Sequence, residues 1–233
     1  MIGILIPAHN EEAFLARCLE AALTAARHPQ LHGEIVRVIV VLDSCSDRTA
    51  EVAARFDVSI LHIQAQNVGA ARGLGAQWLL DQGARWISCT DADSLVAEDW
   101  LVAQLALKAD AVCGTVRVDD WGSQIDEATQ ALYLAAYQSC EGHRHIHGAN
   151  LGFSARVYQL AGGFLPLKCH EDVQLVKQLQ ACGASIAWSH RPKVSTSARL
   201  DSRAEGGFGD YLKSLLTSPV HDQHQPGSRI GTL

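Results

Sequence analysis

Two aspartates separated by a single residue are the feature of this 233-residue sequence best suited to chemistry. Asp91 and Asp93 directly follow the apolar run 86–90, which has the composition of a buried strand. In an extended chain, alternate side chains point to the same side, so both carboxylates are expected to face one way. Two close carboxylates repel each other unless a cation lies between them, and a hard divalent cation also accepts phosphate oxygens as ligands. Helix capping is the alternative interpretation, because aspartate favours that position too.

Polar residues also follow each of the preceding apolar runs, at 7–12, 43–47 and 66–69. In open α/β sheets, ligands bind beyond the carboxyl ends of the strands, so we expect these segments and Asp91 to line one edge. Asp43 could accept hydrogen bonds from a nucleobase or a ribose, or it could simply cap the following helix, as Ser46 or Asp47 would; for Asp43 these two interpretations stay open.

The second half of the sequence contains two further groups of titratable side chains. Glu171 and Asp172 open a predicted helix, where they either complement the helix dipole or supply a general base. His143, His145 and His147 alternate in a predicted loop and could form a zinc site, a substrate-facing wall or only a polar loop. Because no cysteine or carboxylate stands at zinc-ligand spacing beside them, we favour the substrate-facing loop.

The glycine-rich stretch 69–75 opens a predicted helix. It does not follow a strand as GxGxxG, and no Lys-Ser or Lys-Thr pair follows it, so dinucleotide and P-loop sites are excluded. Its small residues indicate close helix packing, while Arg72 within it could reach a phosphate.

Short β-branched runs alternate with helical patterns over the first half of the chain. The predicted strands are 2–6, 35–42, 58–63, 85–90 and 110–118, and the predicted helices are 11–28, 47–56, 69–82 and 98–108. This order predicts a single α/β domain with a mostly parallel central sheet and helices on both faces.

The later elements are predicted as a helix over 123–141, a loop over 142–148, a strand over 149–153 and a helix that Ser154 caps. A further helix over 171–182, ended by Gly183, precedes a strand over 185–189. The polar segment 218–233 is predicted to be a flexible tail.

Composition narrows the classes of protein to consider. With 48% hydrophobic and 19% charged residues the chain should fold around a core, and a net charge of -6 argues against nucleic acid as a partner. Seven cysteines without close pairs indicate a reducing, cytoplasmic location, with peripheral membrane association left open. No apolar run reaches spanning length, so no transmembrane segment is expected.

Taken together, these motifs resemble those of the family 2 glycosyltransferases, whose fold is called type A. Segment 6–12 is similar to the family's Pro-x-x-Asn-Glu opening, and 41–47 to its second-strand motif, although Ser44 replaces the usual glycine. Segment 67–73 resembles its Asn-x-Gly-x-x-x-Ala-Arg stretch, and Asp91-Ala92-Asp93 its Asp-x-Asp metal site. The acceptor-side motifs resemble 148–150, 162–164 and 171–172.

The resemblance implies a domain over 1–217, with a nucleotide-binding half at about 1–118 and an acceptor-binding half at about 119–217. It implies a nucleotide-diphosphate sugar as donor, Mn²⁺ or Mg²⁺ as cofactor, and inverting transfer to a hydroxyl of an unidentified acceptor.

The resemblance also assigns roles to individual residues. Asp172 would be the general base, Asp93 with Asp91 would hold the metal, and His190 is a speculative third ligand. The implied nucleotide contacts are Pro7, Ala8, Asn10, Glu11, Asp43, Asn67, Arg72 and Asp91, and the implied acceptor-side residues are His145, His147, Asn150 and Glu171.

Two other functions are compatible with an α/β nucleotide-binding domain. A nucleotidyltransferase would need a glycine-rich loop with Arg or Lys after the first strand, where this sequence has Pro-Ala-His-Asn-Glu-Glu. A non-catalytic protein that binds nucleotide sugars is the second alternative.

Overall fold

The computed structural model describes residues 1–121, 125–137 and 139–197. Within these ranges the chain builds one central sheet. In chain order its strands are β1 Ile2–Ala8, β2 Val36–Asp43, β3 Ser59–Ile63, β4 Trp86–Cys89, β5 Leu95–Val96, β6 Ala111–Asp120, β7 Leu151–Ser154 and β8 Ile186–Ser197. Their order across the sheet is β3-β2-β1-β4-β7-β6-β8-β5.

The strand directions confirm the predicted mostly parallel α/β sheet. Strands β3, β2, β1 and β4 are parallel neighbours, so their carboxyl ends meet at one edge. Strand β7 is antiparallel to both β4 and β6, β8 is parallel to β6, and the short β5 is antiparallel to β8. The nearly continuous apolar sequences of β1 and β2 follow from burial on both faces, since helices cover the sheet on either side.

The helices divide between the two faces of the sheet. They are α1 Leu15–Ala26, α2 Thr49–Ala53, α3 Val68–Asp81, α4 Trp100–Ala106, α5 Glu127–Ala136, α6 Ala155–Ala161 and α7 Glu171–Ala181. Helices α1, α2 and α4 share a buried cluster with Ile4 and Ile6 of β1, whereas α3, α6 and α7 share the opposite cluster with Leu5. Because strand side chains alternate, one strand feeds both cores.

Helix α5 is shorter than the predicted helix over 123–141. Asp126 caps it, since its Oδ1 accepts a hydrogen bond from the Thr129 amide at 2.8 Å, and the helix ends before Tyr137, whose backbone is extended. The cap explains the later start, although residues 122–124 and 138 lie outside the described ranges.

Strand β8 is longer than the predicted strand over 185–189. It continues to Ser197 through an irregularity between its pairing of Ser189 with Gly114 and that of Lys193 with Thr115. Pro192 lies in this irregularity, where a residue without an N–H is tolerated, and so it does not end the strand. The two-residue β5 was not predicted, and the predicted strand over 149–153 begins only at Leu151, after a 3₁₀ turn over Gly148–Asn150.

The predicted ends of α6 and α7 are confirmed. Ser154 caps α6, and Gly183, with φ of 77°, follows α7. In the described part of the chain, no helix has the length and apolarity needed to cross a bilayer. The predicted tail 218–233 lies outside the described residues, and the division of the domain into two halves stays a prediction.

Asn150 joins the region where β6, β7 and β8 meet. It is fully buried; its side-chain oxygen accepts from Trp100 Nε1 at 2.9 Å, and its amide nitrogen donates to the carbonyls of Thr115 and Pro192 at 2.7 and 2.9 Å. The side chain has no contact surface left for an acceptor. The implied acceptor-side role of Asn150 is therefore corrected to a structural one.

Replacing Asn150 with Ala is expected to lower the free energy of unfolding by roughly 3 kcal/mol or more, because each buried polar group left unpaired costs about 1–3 kcal/mol. Urea unfolding of the variant and of the exposed-site control Gln82→Ala measures the difference. A loss no larger than that of the control would contradict this account of the junction.

Candidate active site

The carboxyl edge of β1 and β2 is built from loops that bind one another. Asn10, in a left-handed backbone conformation with φ of 55°, accepts the Ser46 amide on Oδ1 at 2.7 Å. The Glu11 amide donates to Thr49 Oγ1 at 2.7 Å, and both residues are buried. The turn thus occurs at Asn10, and these two contacts fix the edge before any ligand arrives.

Pro7 and Ala8 extend the first strand beyond the predicted range 2–6. Both belong to β1, where Pro7 pairs with Val41 and Ala8 with Leu42. The Ala8 side chain is buried, and its carbonyl oxygen accepts from Cys45 Sγ at 3.4 Å. These two residues therefore belong to the strand rather than to the turn that follows it.

Asp43, the last residue of β2, holds the loop that follows β3. Its Oδ1 accepts from the amides of Ala65 and Gln66 at 2.8 and 2.9 Å, and its Oδ2 from the amide of Asn67 at 2.7 Å. The Ser44 hydroxyl donates a fourth hydrogen bond at 2.9 Å. Burial by itself would raise the pKa of Asp43, but these hydrogen bonds outweigh it and hold the pKa below the ordinary value.

The segment after β4 is a turn rather than the extended chain from which we inferred that Asp91 and Asp93 face one way. The Ser94 amide donates to the Asp91 carbonyl at 3.1 Å, and Ala92 between the two aspartates is buried. Cys18 of α1 lies beneath this turn, since its Sγ donates to the same carbonyl at 3.3 Å. Burial, and then the nearby charges of Asp93, Asp91 and Glu11, raise the pKa of Cys18.

Arg72 of α3 forms the most buried ion pairs of the site. Its Nη2 donates to Asp91 Oδ1 at 2.5 Å and its Nε to Glu171 Oε1 at 3.0 Å. The side chain of Arg72 is 2% exposed and that of Glu171 is 7% exposed, whereas that of Asp91 is 41% exposed. The sequence suggested that Arg72 could reach a phosphate, and this stays a prediction: two nitrogens of the guanidinium bind carboxylates, and the third, Nη1, is buried without a hydrogen-bond partner.

Asp172 stands beside this ion pair in the first turn of α7. Its Oδ2 accepts from the Gly148 amide at 2.7 Å and its Oδ1 from the Val173 amide at 2.7 Å. Burial raises the pKa of Asp172, and the opposing effect of the nearby Arg72 charge is smaller; the pKa of Glu171 is raised for the same reason. The site therefore contains two carboxylates that take up protons more readily than ordinary ones.

The alternating histidines stack in a row with Tyr137, which the sequence did not single out. The ring centroids of Tyr137 and His145 are 4.2 Å apart, those of His143 and His145 5.5 Å, and those of His145 and His147 6.0 Å. Tyr137 Oη lies 2.9 Å from His147 Nε2 and accepts from the Val116 amide at 2.9 Å. Burial, and then the neighbouring histidines, lower the pKa of His147 to about 4, so this ring is neutral at pH 7.

The sequence suggested Asp91, Asp93 and His190 as metal ligands. His190 lies on the β8 irregularity, where its Nε2 is 3.4 Å from Glu141 Oε1, and its role as a ligand stays a prediction. Over the residues that the structure describes, no group of three or more His, Cys, Asp or Glu side chains converges as a metal site. The exposed face of Asp91 and the half-buried Asp93 nevertheless offer the oxygen donors that Mg²⁺ and Mn²⁺ prefer, and such ions often take only one or two carboxylates together with phosphate oxygens of a substrate.

Asn67 connects the two sides of the site. It caps α3, since its Oδ1 accepts from the Ala70 amide at 2.9 Å, and its Nδ2 donates to the Pro166 carbonyl at 2.9 Å. Asp43 thus binds the cap residue of α3, and the same helix carries Arg72, which pairs with Glu171 of α7.

The sequence of this chain is similar to those of known proteins. Residues 3–159 match the family described as Glycosyl transferase family 2. The chain is 24% identical over 220 residues to the probable glycosyltransferase YdaM of Bacillus subtilis, an alignment that covers 83% of this chain and 51% of that protein. It is 27% identical over 105 residues to glycosyltransferase GlyA of Streptococcus pneumoniae, covering 43% of this chain and 14% of that protein. The chain therefore spans about half or less of the length of these curated relatives.

Solved structures with the same fold include three glycosyltransferase complexes. TarS 1-349 of S. aureus with UDP-GlcNAc has a TM-score of 0.64 at 13% identity, covering 90% of this chain and 60% of that one. GalNAc-T7 with UDP, GalNAc and Mn²⁺ has a TM-score of 0.66 at 14% identity, covering 90% and 46%. The mannosyltransferase PcManGT of Pyrobaculum calidifontis with GDP-Man and Mn²⁺ has a TM-score of 0.61 at 15% identity, covering 87% and 58%.

At these identities the structural likeness establishes the fold, which is the predicted type A glycosyltransferase fold. The family match extends over more than half of the 233 residues. The chain belongs to glycosyl transferase family 2.

Proposed function

We propose that this chain transfers a sugar from a nucleotide-diphosphate sugar to an acceptor hydroxyl, with inversion at the anomeric carbon and with Mn²⁺ or Mg²⁺ bound. The observation that carries the proposal is the double contact of Arg72 with Asp91 and Glu171. It joins the carboxyl edge of the parallel strands, where nucleotides bind in open α/β folds, to the helix that bears the candidate base Asp172. Family membership supports the class of reaction.

The donor would lie along the loops at Asn10, Asp43 and Asn67. These loops are held together by the hydrogen bonds that Asn10 and Asp43 accept, so the edge is rigid before binding and little ordering cost remains. A uracil or guanine nucleotide is the first choice for a test, since the neighbouring folds were solved with UDP-GlcNAc and GDP-Man.

The diphosphate and its cation would lie against Asp91 and Asp93. Arg72 holds the inner oxygen of Asp91 while the side chain stays 41% exposed, so the carboxylate can face a ligand without losing its partner. When bound, the cation would neutralise the charge that grows on the departing diphosphate.

Asp172 would remove the proton from the acceptor. As the acceptor oxygen bonds to the anomeric carbon, the bond from that carbon to the diphosphate oxygen breaks, and the hydroxyl proton passes to the Asp172 carboxylate. Attack on the face opposite the leaving group inverts the configuration. The Gly148 amide donates to Asp172 Oδ2 and so fixes the direction of the carboxylate. Asp172 Oδ1 lies on the helix side, where it accepts from the Val173 amide.

A thermal-shift panel tests the proposal directly. A ligand that binds the folded state raises the melting temperature by mass action. We expect UDP, GDP or one of their sugar conjugates to do so in the presence of Mn²⁺ and less without it. Release of nucleoside diphosphate from the stabilising sugar conjugate then separates an enzyme from a protein that only binds it. Stabilisation by a nucleoside triphosphate with Mg²⁺ alone would favour a nucleotidyltransferase instead.

Replacing Asp93 with Ala is expected to abolish the gain in nucleoside-diphosphate affinity that Mn²⁺ provides, because one of two carboxylate ligands is lost. Calorimetry with UDP or GDP, with and without Mn²⁺, measures this gain. Asp81→Ala, at an exposed position in α3, is the matched control and should keep it. A full Mn²⁺ effect in the Asp93 variant would show that the cation binds elsewhere.

Replacing Asp43 with Asn is expected to lower the free energy of unfolding by about 1–3 kcal/mol at pH 7, since the loop amides lose their charged acceptor. The pKa of Asp43 is lowered in the folded state, so its contribution is present above the ordinary pKa of about 3.9 and is lost as pH falls through the folded value. Urea unfolding at neutral and acidic pH should therefore show the wild type and the variant converging in acid.

Calorimetry on the same Asp43 variant decides its second role. If Asp43 also contacts the nucleotide, affinity falls by about 1–3 kcal/mol in addition to the loss of stability. Unchanged affinity would restrict Asp43 to holding the loop.

Replacing Asp172 with Asn is expected to lower turnover by roughly 10²–10⁴, the usual contribution of a general base, while donor affinity is kept. Because the pKa of Asp172 is raised, wild-type turnover should fall with decreasing pH at a value above the ordinary aspartate pKa. Steady-state kinetics across pH check both statements, with Asp81→Asn as control. Weakened donor binding with unchanged turnover would make Asp172 a binding residue and refute the mechanism.

A further inference from the structure

The guanidinium of Arg72 occupies a buried position between two elements far apart in the sequence. One nitrogen donates to Asp91 after β4, and another donates to Glu171 at the start of α7, 99 residues from Arg72. Asp91 is partly open to the edge of the sheet, whereas Glu171 and Arg72 are enclosed. The guanidinium therefore links the partly exposed Asp91 to the buried Glu171 at the start of α7.

Helix α3, which carries Arg72, is itself docked on the segment that leads into α7. The Gly69 amide donates to the Leu167 carbonyl at 3.0 Å, and Asn67 Nδ2 donates to the Pro166 carbonyl at 2.9 Å. A Cβ at Gly69 would lie 2.2 Å from the Leu165 carbonyl oxygen, so only glycine allows this approach. The backbone of Arg72 is thus held in place relative to α7. The position of its side chain therefore depends on both of its partners, Asp91 and Glu171.

A second route leads from Arg72 to Asp172 through Gly148. A Cβ at Gly148 would lie 2.4 Å from Arg72 Nη2, so the guanidinium packs directly on the backbone of this residue. The amide of the same Gly148 donates to Asp172 Oδ2 at 2.7 Å. Arg72 therefore supports the candidate base from two sides, through Glu171 on its helix and through the amide that directs its carboxylate.

We infer that Arg72 is a positioning residue that couples the Asp91 turn to the first turn of α7 and so fixes where the Asp172 carboxylate stands. It is not a ligand of the donor phosphates. The functional meaning of this coupling rests on the proposed roles of Asp91 and Asp172, whereas the coupling itself rests on the contacts alone.

The competing role, direct contact with the diphosphate, would fall to Arg72 Nη1, which has no hydrogen-bond partner but is buried, so the guanidinium would have to move and weaken one of its two ion pairs. Glu171 is buried, and a buried carboxylate without its partner is strongly unfavourable. A lysine at this position tests the geometry, because a single ammonium group cannot span two carboxylates as the planar guanidinium does, although it keeps the charge. If charge near the phosphates were the function of Arg72, lysine would largely replace it.

The variants are Arg72→Lys, Arg72→Met and Glu171→Gln, with Arg85→Lys as the matched control. Arg85 also forms a two-point pair with a glutamate, Glu34, at 2.7 and 2.6 Å, but it precedes β4 and so lies at the opposite end of that strand from Asp91. Should Arg72→Met fail to fold, Arg72→Lys, which keeps the charge, and Glu171→Gln, which keeps the size of the side chain, decide the question.

Amide hydrogen exchange gives a readout that needs no ligand. In Arg72→Lys and Glu171→Gln, we expect amide exchange in segments 145–150 and 170–176 to accelerate by about tenfold or more, because the ion pairs that oppose local opening of these segments are weakened. Exchange in the same segments should be unchanged in Arg85→Lys. Unchanged exchange in the Arg72 and Glu171 variants would overturn the coupling.

Binding and turnover separate positioning from ligand contact. With Mn²⁺ present, affinity for UDP or GDP should change by no more than about threefold in Arg72→Lys, while the kcat for release of nucleoside diphosphate from the sugar conjugate falls by about tenfold or more at an unchanged KM. A tenfold loss of nucleotide affinity with normal exchange would make Arg72 a phosphate ligand and refute the inference. If the wild type binds neither nucleotide, the proposed function fails, and hydrogen exchange alone decides the coupling.

Discussion

The buried ion pairs of Arg72 are the constraint on which the site depends. A guanidinium that is almost fully removed from water needs its charge compensated, and Asp91 and Glu171 do this through its Nη2 and Nε, while its Nη1 is buried without a hydrogen-bond partner. Asp172 lies close enough to feel the same charge, so the three carboxylates outnumber the single cation. The surplus of negative charge raises the cost of keeping every carboxylate ionised, and a divalent cation at the Asp91 turn would relieve it.

The carboxyl edge of β1 and β2 is held together differently, by carboxylate and amide side chains that accept hydrogen bonds from the backbone of neighbouring loops. Asp43 gathers three consecutive amides of the loop after β3, and Asn10 takes the amide of Ser46 from the loop after β2. Such contacts satisfy backbone donors that the strand ends leave open. Short parallel strands can therefore end in irregular backbone that still has a defined shape.

Much of this architecture was predictable from the sequence, because it follows from local periodicity. The first four strands were identified within a few residues, and the parallel order then required Asp43 and Asp91 to share an edge. The helix ends at Ser154 and Gly183 follow from capping chemistry. Each of these predictions needed only neighbours in sequence.

The features that sequence analysis missed all depend on contacts between distant residues. The ion pair of Arg72 with Glu171 was not predicted, because the two residues are 99 positions apart and nothing in the local pattern indicates that they meet. Asn150 was taken for an acceptor-side residue, but the three groups that it satisfies come from α4, β6 and β8. The turn at Asp91–Ser94 was read as extended chain because the strand before it is short.

The region of the proposed acceptor side is organised around Gly148 rather than around the histidines themselves. His147 precedes this glycine and is tied through its Nε2 to Tyr137, which in turn takes the Val116 amide of β6. A ring that is neutral at pH 7 and held by a phenol can form a rigid wall without competing for the proton that Asp172 would receive in the proposed mechanism. On this view the histidine row fixes the position of the Gly148 amide from one side, and Arg72 fixes it from the other. The direction of the Asp172 carboxylate is then set by the backbone of Gly148, which donates to it.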